Sequence, residues 1–124
     1  MCPESTREKG LRGEIAARGY LVDHGFAILH TNYRTRRGEI DIVARQGGEI
    51  VFVEVKSAGS ASFGDPLGWV PRWKQDRIVH ASCVYLVRNG LEGAPVRYDV
   101  IAVDPSGAVN HVRDAFRPQT PFRV

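Results

Sequence analysis

Asp41, Glu54 and Lys56 are the residues of this chain whose types and spacing could do chemistry together. They lie in GEIDIVARQGGEIVFVEVK, residues 38–56, where two alternating, β-branched runs flank Gly47-Gly48. That dipeptide can take the positive φ angles of a tight turn, so the stretch predicts a β-hairpin in which Gln46 pairs with Glu49. Side chains alternate between faces of a strand, and this register commits each face as a whole. Ile40, Ile42 and Ala44 then oppose Val55, Val53 and Val51 on one aliphatic face that must be buried. The other face opposes Val43 to Phe52, Asp41 to Glu54 and Glu39 to Lys56.

Two carboxylates directly across a strand pair repel and destabilise the sheet. A divalent cation between them turns that repulsion into chelation, because Mg²⁺ is characteristically held by one or two carboxylates with water and substrate phosphate. Asp41 and Glu54 are therefore the expected metal ligands, and Lys56, on the same face, directs its ammonium to the same place. The plainer alternative is a solvated pair, or one in which each acid meets an arginine.

The elements that would position these residues can be read in order. Ser5-Thr6-Arg7-Glu8 is a capping box opening a helix to about His24, closed by Gly25. Glu14 shares a side of that helix with Gly10, Ala17 and Leu21, a partly buried acid that could otherwise pair with Arg18. Gly19 inside the helix suggests close packing against the sheet. Phe26–Thr31 reads as a strand and Asn32–Gly38 as a basic loop, in which Arg34, Arg36 and Arg37 could hold a phosphate backbone and Tyr33 could stack on a base.

After the hairpin, Ser57–Gly68 reads as a mobile loop in which Phe63 anchors to the core or, as the lesser alternative, wedges into nucleic acid. A second helix, with Pro71 in its first turn, runs to about Arg88 and stops at Asn89-Gly90. Its stripe of Ile78, Ala81 and Tyr85 extends to Lys74, and Arg72 and Lys74 at its N-terminus could receive a phosphate. Trp69 and Trp73 flank that turn, for packing or, if exposed, as a stacking platform or dimer contact. Val96–Val103 is a strand, Asp104–Gly107 a turn, Val109–Arg113 a short strand, and residues 118–124 an extended tail. The expected architecture is α/β, a mixed central β-sheet flanked by helices in the order αβββαββ.

With 124 residues, 43% hydrophobic and 25% charged, the chain is expected to form a single soluble domain. Cys2 and Cys83 form no CxxC and no disulfide framework, which fits a reducing cytoplasm. His24, His30, His80 and His111 lack zinc spacing and read as surface or core-edge residues. No apolar run approaches the length of a membrane span, and residues 1–10 are too polar for a signal peptide. A net charge of +3 permits a phosphate-rich partner without requiring one.

Asp41 followed by Glu54-Val55-Lys56 is the arrangement of the PD-(D/E)xK nucleases. The words around it, RGEIAARGYL, HGFAIL, NYR, GEIDIVA, VFVEVK, FGDP and RYDVIAVD, resemble the YraN family of small bacterial proteins from about Gly10 to Phe116. The resemblance implies a restriction-endonuclease-like fold related to Holliday-junction resolvases and a Mg²⁺- or Mn²⁺-dependent endonuclease acting on DNA. It places Glu14 as the helix-one acid, Asp41 as the first metal-binding acid, Glu54 and Lys56 as the motif's E and K, and Lys74 at a basic position. Ala58 departs from the family, which usually has a basic residue there, so the resemblance does not carry over that phosphate contact, while the metal-binding acids are intact.

On this reading Asp41 and Glu54 bind the cation, helped by the Val55 carbonyl and by Glu14 through water, while Lys56 positions the attacking water or steadies charge on the phosphate. Arg34, Arg36, Arg37, Arg72 and Lys74 supply affinity for nucleic acid. A junction resolvase would need two active sites, hence a homodimer. The alternatives are a non-catalytic nucleic-acid-binding module of the same fold and a dimeric interaction protein.

Overall fold

The structure, a computed structural model, describes residues 5–57 and 69–118. The expected loop contacts of Phe63, the slot of Ala58 and the tail beyond Pro118 lie outside those residues. Seven elements follow in chain order: α1 (Thr6–Asp23), β1 (Ala27–Arg34), β2 (Glu39–Gln46), β3 (Glu49–Ser57), α2 (Arg72–Arg88), β4 (Val96–Val103) and β5 (Val109–Phe116). The strands form one sheet in the order β1-β2-β3-β4-β5. All neighbours are antiparallel except β3 and β4, which run parallel. A parallel neighbour requires a crossover, and α2 supplies it. This is the α/β, mixed-sheet order αβββαββ that the restriction-endonuclease-like arrangement calls for. No described helix is long and apolar enough to cross a membrane.

The helix ends form as their residues dictate. The Glu8 amide donates to Ser5 Oγ (3.1 Å) at the start of α1, and Gly25 takes φ 85° just past the His24 cap. Gly19, however, is exposed and has nothing within 4 Å of where a Cβ would stand. No close approach to the sheet explains it.

The period-2 pattern sorts the core into two layers. Ile42, Ala44, Val51, Val53, Ile101 and Val103 pack with Ala17 and Leu21 of α1. Val43, Phe52, Tyr98, Val100 and Ala102 pack on the opposite face with Ile78, Ala81 and Tyr85 of α2. The hairpin register is the expected one, with Gln46 opposite Glu49, Ala44 opposite Val51 and Ile42 opposite Val53.

Beyond that pair the strands part. Asp41 Oδ2 accepts the Val55 N–H (2.8 Å) where a backbone carbonyl would otherwise serve. Ile40, expected beside Ile42, instead packs in the α2 layer. Two strands are also longer than their sequences suggest. β1 runs through Asn32-Tyr33-Arg34, with Asn32 at φ 54° and Tyr33 paired with Ile40, which brings its ring edge-on to Tyr85 (5.2 Å). β5 continues to Phe116 through a bulge with Asp114 at φ 52°. A bulge re-aims backbone groups, and the Asp114 N–H meets the carboxylate of Asp99 at 3.0 Å.

Candidate active site

Where β2 and β3 part, their acids meet. Asp41 and Glu54 occupy the sheet face that α2 covers and border the same cleft. Glu54 is 7% exposed. Burial, the hydrogen bond to Glu54 and the Glu54 charge push Asp41 up to about 8, against the opposing pull of the Val55 N–H and the Lys74 ammonium. Near neutral pH the pair therefore retains a proton, as close carboxylates in a desolvated site do.

Lys74 Nζ, one turn into α2, stands 3.1 Å from Glu54 Oε2. That oxygen is nonetheless fully enclosed and accepts no directed hydrogen bond. The contact is one of charge and leaves a lone pair unused.

The acids lie on the wall of an open cleft of ≈ 730 Å³. Arg36, Arg37 and Gly38 of the β1–β2 connection border it on one side, and Trp73, Lys74 and Arg77 of α2 on the other. The two sides touch at Gly38. A Cβ placed there would lie 2.5 Å from the Arg77 carbonyl oxygen and 2.9 Å from its carbon. Backbone cannot yield as a side chain does, so Gly38→Ala is expected to destabilise the protein by about 1–3 kcal/mol through overpacking. Urea denaturation reads this as a lower midpoint at unchanged m.

The other expected site residues are dispersed. Lys56 Nζ donates to the Trp69 carbonyl oxygen (3.0 Å) and not to the acid pair, so it tethers the segment entering α2 while Lys74 stands at Glu54. Glu14 accepts from Asn32 Nδ2 (2.9 Å) on a helix that packs against the opposite face, and it does not join Asp41 and Glu54. Arg34 pairs with Glu39 (3.4 Å) and Arg72 with Asp76 (3.5 Å). Neither borders the cleft, whereas Arg36, Arg37 and Lys74 do.

Arg77 also borders the cleft; its one sequence signal is the i,i+4 spacing from Trp73 that places the two together on a helix. Its guanidinium lies 5.2 Å from the centroid of the Trp73 ring.

Among the described residues no three His, Cys, Asp or Glu side chains gather as a metal-holding group. The pair nonetheless fits Mg²⁺, an ion that keeps most of its water and takes one or two carboxylates with phosphate oxygens. The retained proton and the unused Glu54 lone pair mark where such a charge would be accepted.

The model of the uncharacterised protein family UPF0102 matches residues 13–103. A UPF0102 protein of Clostridioides difficile is 42% identical over 113 residues, covering 90% of this chain and 99% of its own. One of Moorella thermoacetica is 47% identical over 97 residues, 78% of this chain and 81% of its own. Among solved structures, SfsA of Pyrococcus furiosus in complex with Ca²⁺ aligns over 89% of this chain and 64% of that one, at 17% identity and a TM-score of 0.36.

Proposed function

The chain belongs to UPF0102, the YraN family whose motifs its sequence carries, and we propose that it is a Mg²⁺- or Mn²⁺-dependent endonuclease hydrolysing phosphodiester bonds in DNA. The observation that carries this reading is the Asp41–Glu54 pair, the glutamate buried and the aspartate half-buried, in a cleft bordered by Arg36, Arg37, Lys74 and Arg77. Asp41 and Glu54 would hold the cation, with water and phosphate oxygens completing its shell. When bound, it supplies Lewis acidity at the scissile phosphate and a lowered pKa for the attacking water.

The remaining work falls to the chain's own side chains. Arg36 and Arg37 bind the backbone phosphates and set their register. Lys74, held at Glu54 by charge alone, is free to follow the phosphate once the acids have another partner. There it stabilises the charge that develops as the bond breaks. Lys56, anchored on the Trp69 carbonyl, holds the entry to α2 and so sets the distance between Lys74 and the acids. The Val55 N–H orients the Asp41 carboxylate.

The test is cleavage of labelled branched, flapped, single-stranded and duplex DNA with Mg²⁺, with Mn²⁺ and with EDTA. Cation-dependent cutting is expected, with Glu54→Gln slower by about 10³-fold, the scale of losing a preorganised electrostatic group. Lys56→Ala is expected to be impaired while still folded.

The engagement of Lys56 with Trp69 favours one second reading, a binding module that keeps the fold without the chemistry. DNA that is bound but never cut, and bound equally well by Glu54→Gln, would establish that reading in place of the nuclease.

A further inference from the structure

We infer that Trp73 is a stacking platform for an unpaired nucleobase, so that the cleft takes nucleic acid with single-stranded nucleotides beside the phosphate it holds. The inference deepens the reading of the cleft as a nucleic-acid site and rests on it.

The two tryptophans of the α2 entry have opposite fates. Trp69 is 5% exposed and packs in the core, whereas Trp73 is 60% exposed. A single exposed apolar side chain is ordinary on a protein surface, so a role for Trp73 rests on its neighbours. Among the described residues the other exposed large apolar side chains are Leu11, Ile15 and Val22 on α1, across the sheet, and Val87 at the far end of α2. Among the described residues the cleft around Trp73 is bordered mainly by arginine, lysine and carboxylate side chains, not by the contiguous apolar surface that marks a protein partner.

A polar, cationic rim with one aromatic face in it suits a nucleobase attached to a phosphate. Stacking takes the base, and the cations take the backbone. Arg77, 5.2 Å from the ring centroid, adds a guanidinium to the same platform. The Gly38–Arg77 contact holds this turn of α2 against the strand that carries Asp41, so ring and acids keep a fixed separation. Bases inside an intact duplex are already stacked on each other and cannot use such a platform. Unpaired ones can.

Because Trp69 is buried, quenching of the intrinsic fluorescence reports Trp73. The titration is made in EDTA with an oligothymidylate and with a hairpin duplex of equal length. The single strand is expected to quench and the duplex not. Trp73→Ala is expected to lose about ten-fold in affinity for the single strand, as alanine substitution of a stacking aromatic does, with duplex binding unchanged and Trp73→Phe retaining most of it. Because Trp73 is exposed, the variant should keep its fold, which circular dichroism checks.

Duplex binding as tight as single-strand binding, or Trp73→Ala binding oligothymidylate like the wild type, would overturn the inference and leave the nuclease reading standing. Trp73-dependent quenching without cation-dependent cleavage would support it while overturning the nuclease reading. Failure to bind either oligonucleotide overturns both.

Discussion

Replacing Asp99 by alanine is expected to destabilise the protein by about 3–5 kcal/mol, the cost of removing one partner from a buried ion pair. Asp99 has no exposed surface. Arg97 grips it with two bonds, Nε to Oδ1 at 2.8 Å and Nη2 to Oδ2 at 3.0 Å. His111 Nε2 lies 2.7 Å from Oδ2, and the Asp114 N–H completes the shell. In the tautomer that donates from Nε2 to the carboxylate, His111 Nδ1 accepts from the Tyr20 hydroxyl (3.0 Å). The carboxylate thus joins β4, β5 and α1.

Without it, Arg97 keeps Glu49 and Gln46 as its polar partners among the described residues, and a buried imidazole loses its acceptor. Thermal unfolding should show a Tm lower by about 10 °C or more, given the usual few degrees per kcal/mol. Asp99→Asn, which keeps the shape and two polar atoms, should lose less.

The acid limb supplies a check with a fixed sign. Burial alone would raise Asp99, but hydrogen bonds from His111, Arg97 and the Asp114 amide, with the charge of Arg97, hold it below its ordinary value. Its stabilisation is fully present above the ordinary carboxylate range and is lost as pH falls through the lower folded value. The gap between wild type and Asp99→Ala should therefore narrow in acid. An alanine variant as stable as the wild type at neutral pH would sink this account.

Little of that network is legible in the sequence, and the reason is physical. Arg97 and Asp99 are near neighbours on one strand, but His111 and Tyr20 reach them only through tertiary packing, and the Asp114 amide only through a bulge. Non-glycine residues with positive φ carry no reliable mark, so Asn32 and Asp114 conceal the true lengths of β1 and β5.

The hairpin is the opposite case. Period-2 alternation and Gly47-Gly48 fix its register pair by pair, and with it the meeting of Asp41 and Glu54. Alternation fails at Ile40, because a side-chain acceptor there replaces a backbone one. The lysines illustrate the same limit. Strand geometry places Lys56 on the face of the acids, but a long flexible side chain takes the acceptor that the fold supplies, here the Trp69 carbonyl. Lys74 reaches Glu54 from an element whose docking no local pattern reveals. The wall made by Gly38 against Arg77 is likewise a product of that docking.

Asp41→Asn is expected to stabilise the cation-free protein near neutral pH by about 1–2 kcal/mol, the scale on which strained functional sites give back stability. It should also abolish the response to Mg²⁺. Burial, the bond to Glu54 and the Glu54 charge push Asp41 from 3.8 up to about 8. A group raised in this way binds its proton more tightly folded than unfolded. The stability linked to that proton is complete below the unfolded value and is lost progressively as pH rises through about 8. The cation-free wild type should therefore weaken as pH rises from the ordinary carboxylate range to about 8 and level off beyond it, while the asparagine variant, which cannot ionise and still offers an oxygen to the Val55 N–H, should not weaken in that range.

Magnesium reverses the preference, because it competes with the proton for ionised carboxylates. Its affinity, and cleavage at subsaturating Mg²⁺, should rise with pH and level off near the folded value of about 8. A ligand at a hundred times its Kd adds about 2.7 kcal/mol, which melting curves with Mg²⁺ and with EDTA would resolve. The wild type should gain that increment and release a proton on binding, measurable by titration calorimetry in buffers of different ionisation enthalpy. Asp41→Asn and Glu54→Gln should do neither. If Asp41→Asn gained as much from Mg²⁺ as the wild type, the cation would sit elsewhere, and the acid pair would be a buried proton trap with no catalytic role.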